Sequence, residues 1–187
     1  MATQTTVNGL DTDALREAMQ TMLRNPETGR FRFRAHHLWI DGAHSQTQIV
    51  DFQGPAAEES GHDRPFLLDA DEPAALLGTD EGPNATEALL HALASCLSTT
   101  LIFHAGYRGV TVNSLQLELE GDIDLAGFLG LRQDTRNGYQ EIRVAFIVDA
   151  DAPDETIDDL VDLAQQHSPV FDIVTNPVPV KVTWERA

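Results

Sequence analysis

From Ala88 to Tyr107 the chain carries no Asp, Glu, Lys or Arg, and its single cysteine, Cys96, lies within that run. At about 1.5 Å rise per residue, a helix of this length spans a small domain or a bilayer. Such a segment has to be enclosed, and the other elements must be arranged around it. The polar residues inside it, His91, Ser95, Ser98, Thr99, Thr100 and His104, argue against lipid. Enclosure by the protein itself, or by a partner subunit, is therefore expected. The helix is predicted over Asn84–Gly106, with Asn84 as N-cap and Glu87 returning to its backbone N–H as a capping box.

The flanking patterns are antiparallel in character. Leu15, Ala18, Met19, Met22 and Leu23 share one face of a helix over residues 11–24, which Asn25-Pro26 ends. Alternating segments on both sides of Asp41-Gly42 read as a β-hairpin, and the polar, Gly- and Pro-bearing residues 53–65 read as a loop. Leu115, Leu117 and Leu119 alternate with Gln116, Glu118 and Glu120 in one long strand, and residues 139–151 form a second. A further helix follows Pro153, and residues 176–185 are expected to close as an edge strand. The fold class is α+β, with antiparallel sheets around one buried helix.

A net charge of -18, with Lys181 the one lysine among twelve basic residues, disfavours nucleic acid and anionic membranes as partners. It also suits a salt-rich solvent, where screening shortens charge repulsion. One cysteine excludes an internal disulfide and fits a reducing, cytoplasmic setting. The N-terminal residues show no basic region followed by an apolar run, so no signal peptide is expected.

The string GPNATEALLHALASC, followed at a distance by GYQEIRVAFIVDAD and HSPVFDIVTNPVPVKV, resembles the OsmC/Ohr family over roughly residues 32–185. Residues 1–30 lie outside the likeness, as an N-terminal helical extension to a domain at 31–187. The resemblance implies an intertwined homodimer with its cysteine helices at the centre and two sites at the subunit interface. It also implies reduction of organic hydroperoxides by two cysteines, an arginine and a glutamate, with a thiol or lipoyl reductant and neither cofactor nor metal.

Residue by residue, Cys96 matches the peroxidatic cysteine and Glu87 the family glutamate. The segment that begins with the resolving cysteine in the family reads Ser168-Pro169-Val170 here. Serine forms no disulfide to protect a sulfenic acid, so an external thiol must act. The family arginine lies near the first hairpin turn. That turn holds His44, with Arg30, Arg32 and Arg34 upstream, and Arg34 is taken as the counterpart. The implied site is Cys96, Glu87, Arg34 and Ser168.

Plainer readings stand beside these. A free cysteine commonly packs as a small hydrophobe. Glu87 and Ser168 read as helix-capping residues, the latter with Pro169 at N1. His91 and His104 lie about 140° and 80° around the helix from Cys96, as buried, hydrogen-bonded histidines. His36, His37, His44 and His167 show no metal-ligand spacing. Trp39 and Trp184 read as core or interface aromatics. The rival function is a non-catalytic module binding a small hydrophobic ligand on the same dimeric fold.

Overall fold

The computed structural model describes residues 5–55 and 58–186. Its contacts divide the chain into two compact units, one comprising the described residues of 1–6 and 11–89, the other those of 7–10 and 90–187.

The chain opens with a two-stranded ribbon, β1 (Thr6–Val7) and β2 (Leu10–Asp11). Asn8 and Gly9 take positive φ at its turn, as a two-residue hairpin requires. In the first unit α1 (Thr12–Arg24) follows, capped by Asp11, which accepts from the Asp13 and Ala14 amides. The helix ends at Asn25-Pro26 as expected, because proline cannot continue the hydrogen-bond ladder. Met19, Met22 and Leu23 of its apolar stripe remain exposed.

Four strands make the sheet of this unit: β3 (Arg32–Phe33), β4 (His36–Asp41), β5 (His44–Gln53) and β6 (Glu59–Ala70). β5 is central, pairing antiparallel with β3 and β4 and with β6. The expected hairpin turns at Asp41-Gly42, where Gly42 adopts φ +54°. The loop expected over residues 53–65 is much shorter. Glu59, Ser60 and Gly61 pair with Gln53, Phe52 and Asp51, so β6 begins inside that polar segment. Nearly all its side chains are exposed, so main-chain pairing and polar side-chain contacts such as Arg34–Glu59 and Gln46–Asp69 hold the strand, and no apolar alternation announces it.

The second unit is built on α2 (Ala85–Arg108), which starts in the first unit, together with the hairpin of β7 (Val112–Asp122) and β8 (Glu141–Ala150). The connection contains α3 (Leu125–Phe128); α4 (Asp154–His167) and α5 (Pro169–Thr175) follow β8. Leu93, Leu97, Leu101 and Ala105 of α2 and Leu160 and Ala164 of α4 form its buried core. The inward row of the hairpin, Leu115, Leu117 and Leu119 facing Val148, Phe146 and Val144, packs against that cluster. Asn8 ties the ribbon to this unit, donating through Nδ2 to the Val110 carbonyl and accepting from the Val112 amide.

Two expectations change. The long uncharged helix buries one stripe within a single chain; His91, Ser95, Thr99, Phe103 and Tyr107 are exposed. Residues 177–186 are not paired as a strand, and Val180, Val182 and Trp184 are exposed. The alternation read there is present, but alternation specifies a strand only when a neighbouring edge accepts its backbone bonds.

Candidate functional site

The site is best followed along α2. Asn84 Oδ1 accepts from the amides of Thr86 and Glu87 at 3.0 and 2.9 Å, and Glu87 Oε2 accepts from the Asn84 amide at 2.9 Å. This reciprocal pair satisfies orphan donors of the first turn, so the Glu87 carboxylate is engaged as a capping group. Nine residues on, at about 100° each, Cys96 points to the opposite side of the helix.

Cys96 is a free, half-buried thiol. The core leucines Leu93, Leu97 and Leu101 lie about 60–140° from it around the helix, so the sulfur sits beside the buried stripe rather than within it. Phe103 and Tyr107 fall within about 20° of Cys96 and are 43% and 45% exposed. Thr100 Oγ1 donates to the Cys96 carbonyl at 2.8 Å, which uses the local hydroxyl on backbone rather than on sulfur. The thiol therefore stands on an apolar, largely uncovered helix face.

Ser168 is 2% exposed at the corner between α4 and α5. Its Oγ accepts from the Phe171 amide at 3.2 Å and Pro169 takes the first helical position, where no N–H is required. The hydroxyl thus caps α5. The preceding His167 stacks on His104 of α2, with ring centroids 5.2 Å apart and planes 27° from parallel. Burial, then His167, then Arg108 hold the His104 imidazole below its ordinary pKa. No sequence signal links these two histidines, because the pairing joins separate helices. His91, expected to be buried, is exposed.

Arg34 belongs to the first unit and is fully occupied there. Its guanidinium donates to Asp51 at 3.0 Å and makes a two-pronged contact with Glu59 at 2.7 and 3.0 Å. The Glu59 and Asp51 hydrogen bonds raise its pKa further, and Glu59 is lowered in return, first by the Arg34 bond. In the hairpin, His44 Nε2 lies 3.2 Å from Asp69 Oδ1, which also accepts from Gln46 at 3.1 Å.

His44 lines a cavity of about 270 Å³ with Asp41, Asp71, Thr79 and Glu81. Asp71, missed in the sequence, is buried there, accepting from the Thr79 hydroxyl and from the amides of Glu72, Thr79 and Glu81. These bonds, led by the Thr79 hydroxyl, hold its carboxyl well below the usual range. The one legible signal was its place at the head of a loop that holds Gly78, Thr79, Asp80 and Gly82. Among the described residues, no three His, Cys, Asp or Glu side chains converge as metal ligands. Trp39 and Trp184, expected in a core or interface, are 71% and 86% exposed in the single chain.

Residues 78–183, from the approach to the cysteine helix through the C-terminal segment, match the family described as OsmC-like protein. The chain belongs to the OsmC family. Solved OsmC-like structures share its mixed α+β arrangement of antiparallel sheets and helices. An OsmC-like protein from Mycoplasma pneumoniae is 17% identical, with 78% of this chain and 89% of that one covered and a TM-score of 0.59. A putative osmotic stress induced and detoxification response protein from Psychrobacter arcticus is 16% identical over 74% and 85% of the two chains, with a TM-score of 0.54. A hypothetical protein from Aquifex aeolicus is 16% identical over 82% and 94%, also at 0.54. No curated protein sequence matches the chain. At such identities the likeness concerns fold, and the OsmC assignment rests on the family match.

Proposed function

We propose that this OsmC-family protein reduces organic hydroperoxides as a homodimer, with Cys96 as the nucleophile and an external thiol as reductant. The observation that carries the reading is the place of Cys96. It is a free, half-buried thiol midway along the family's helix, on a face that one chain leaves uncovered. The Cys96 thiolate attacks one peroxide oxygen, the O–O bond breaks, and the leaving alkoxide takes a proton to depart as an alcohol. Cys96 is left as a sulfenic acid. An external thiol then displaces water to form a mixed disulfide, and a second thiol releases the Cys96 thiol.

Ser168 takes no part in resolution, since its oxygen forms no disulfide and already caps α5. Glu87 and Arg34 would join the chemistry only by leaving their present partners, Asn84 for one and Asp51 and Glu59 for the other. The homodimer is supported by the uncovered Phe103–Tyr107 side of α2 and by the exposed alternation of Val180, Val182 and Trp184, both suited to cover by a second copy.

The decisive assay is consumption of an alkyl hydroperoxide with dithiothreitol or dihydrolipoamide, wild type against Cys96→Ser. Activity in the wild type and background in the variant is the expected result. Background rates in both would remove the enzyme reading. The same uncovered apolar face favours the second reading, a binding module, in that event. A thermal shift with an apolar ligand that persists in Cys96→Ser identifies it.

A further inference from the structure

We propose that the stacked His104–His167 pair is an acid-sensitive latch that holds the α4–α5 corner to the cysteine helix and lets it go under mild acidity. The two rings come from elements far apart in sequence, α2 and the last residue of α4, yet they lie nearly parallel at 5.2 Å. Stacked imidazoles attract when at least one is neutral; two imidazolium rings at that distance repel. His104 is half-buried whereas His167 is exposed, so the cost of a second proton falls on the ring with less water around it.

The charges that reach His104 increase this cost. Arg108 follows one turn later on α2, and besides His167 it is the group whose charge acts on the ring. From α4, Asp159 lies 3.8 Å from Arg108, but its carboxylate is 71% exposed and so poorly placed to offset the guanidinium. At the start of α5, the hydroxyl of Ser168 is committed to the Phe171 amide and does not titrate. The C-terminal ends of α2 and α4 favour a cation at the two rings, and burial of His104 and the neighbouring positive charges act against it.

The direction of the pH effect follows. Once the corner opens, His104 regains the proton affinity of an ordinary histidine, near 6.5, whereas in the closed state it holds protons less readily. Acid therefore favours the open form. The closed state is intact above about 6.5 and weakens progressively below it. The segment released is specific. Ser168 is buried beside the latch, α5 depends on it for its cap, and the unpaired residues 177–186 follow α5. Acidification thus acts on the corner and what lies after it, while the core of α2, β7 and β8 has no such titrating contact. The inference rests on the histidine geometry and stands whether or not Cys96 reduces peroxides.

Amide hydrogen exchange of the full chain, with rates corrected for intrinsic pH dependence, tests it. Between pH 7.5 and 5.5, protection over residues 165–175 is expected to fall measurably, by up to about tenfold, the ceiling for one proton bound by the open corner and refused by the closed one. Protection of β7 and β8 stays constant. His104→Gln should flatten the pH response of the corner, and His167→Gln, which leaves the burial of His104 in place, should reduce it. Constant corner protection in the wild type, or a response that survives both substitutions, overturns the latch. Should neither variant fold, the imidazole NMR titration of the wild type decides. His104 is expected to titrate below 6.5 and to sense His167; two independent, ordinary titrations would sink the proposal.

Discussion

At the residue scale, the structure gives two of the sequence's site candidates local tasks. Ser168, which the sequence resemblance sets in the place of a resolving cysteine, has a buried hydroxyl that caps a short helix. Ser168→Ala should cost about 1 kcal/mol in urea unfolding, the usual value of a lost N-cap, and leave the thiol-driven peroxide rate unchanged. Glu87 gives a matched contrast. Glu87→Gln keeps the capping geometry while removing the charge, so stability should stay within about 0.5 kcal/mol of wild type. A large loss of peroxide turnover in that stable variant would return Glu87 to the chemistry. Both caps were legible from Asn84-x-x-Glu87 and Ser168-Pro169, because capping depends on residues within one turn. The occupation of Arg34 was not legible. Its partners Asp51 and Glu59 lie on neighbouring strands, and only the register brings them to it.

At the scale of elements, α2 has two faces with different futures. Leu101 is fully buried against the core of the second unit, whereas Phe103, two residues on, is 43% exposed. Leu101→Ala should therefore cost about 2–5 kcal/mol in unfolding free energy, the range for a buried leucine with a partly collapsed cavity. Phe103→Ala should cost the isolated chain little and, on the proposed homodimer, shift the equilibrium toward monomer in sedimentation equilibrium. Equal effects of the two on folding, with no change in assembly, would contradict the division. The helix itself and the β7–β8 hairpin were read within a few residues, the helix from its long uncharged run and capped start, the hairpin from its strong alternation. β6 and the C-terminal segment were misread in opposite directions. One is a strand despite polar side chains, the other an unpaired segment despite alternating ones, because pairing is decided by the availability of a neighbouring edge.

At the scale of the whole molecule, charge sets the conditions. Arg143 is shared by Glu120, Asp122 and Glu141, a measure of how far carboxylates outnumber cations on this surface. Molar salt should relieve their mutual repulsion by about 1 kcal/mol or more, raising Tm by at least 2–4 °C between 0.1 and 2 M KCl. A flat melting curve across that range would show the acidic excess to be irrelevant to stability. Composition and short-range pattern, then, determined the α+β class, the cysteine helix with its capped start, the acidic surface and the family. Each depends on residues near in sequence or on totals over the chain. Only the tertiary structure decided which stripe of α2 is buried, where Arg34 finds its carboxylates, and that His104 meets His167. Those facts arise from contacts between segments far apart in the chain, where the geometry of packing rather than the spacing of residues chooses the partner.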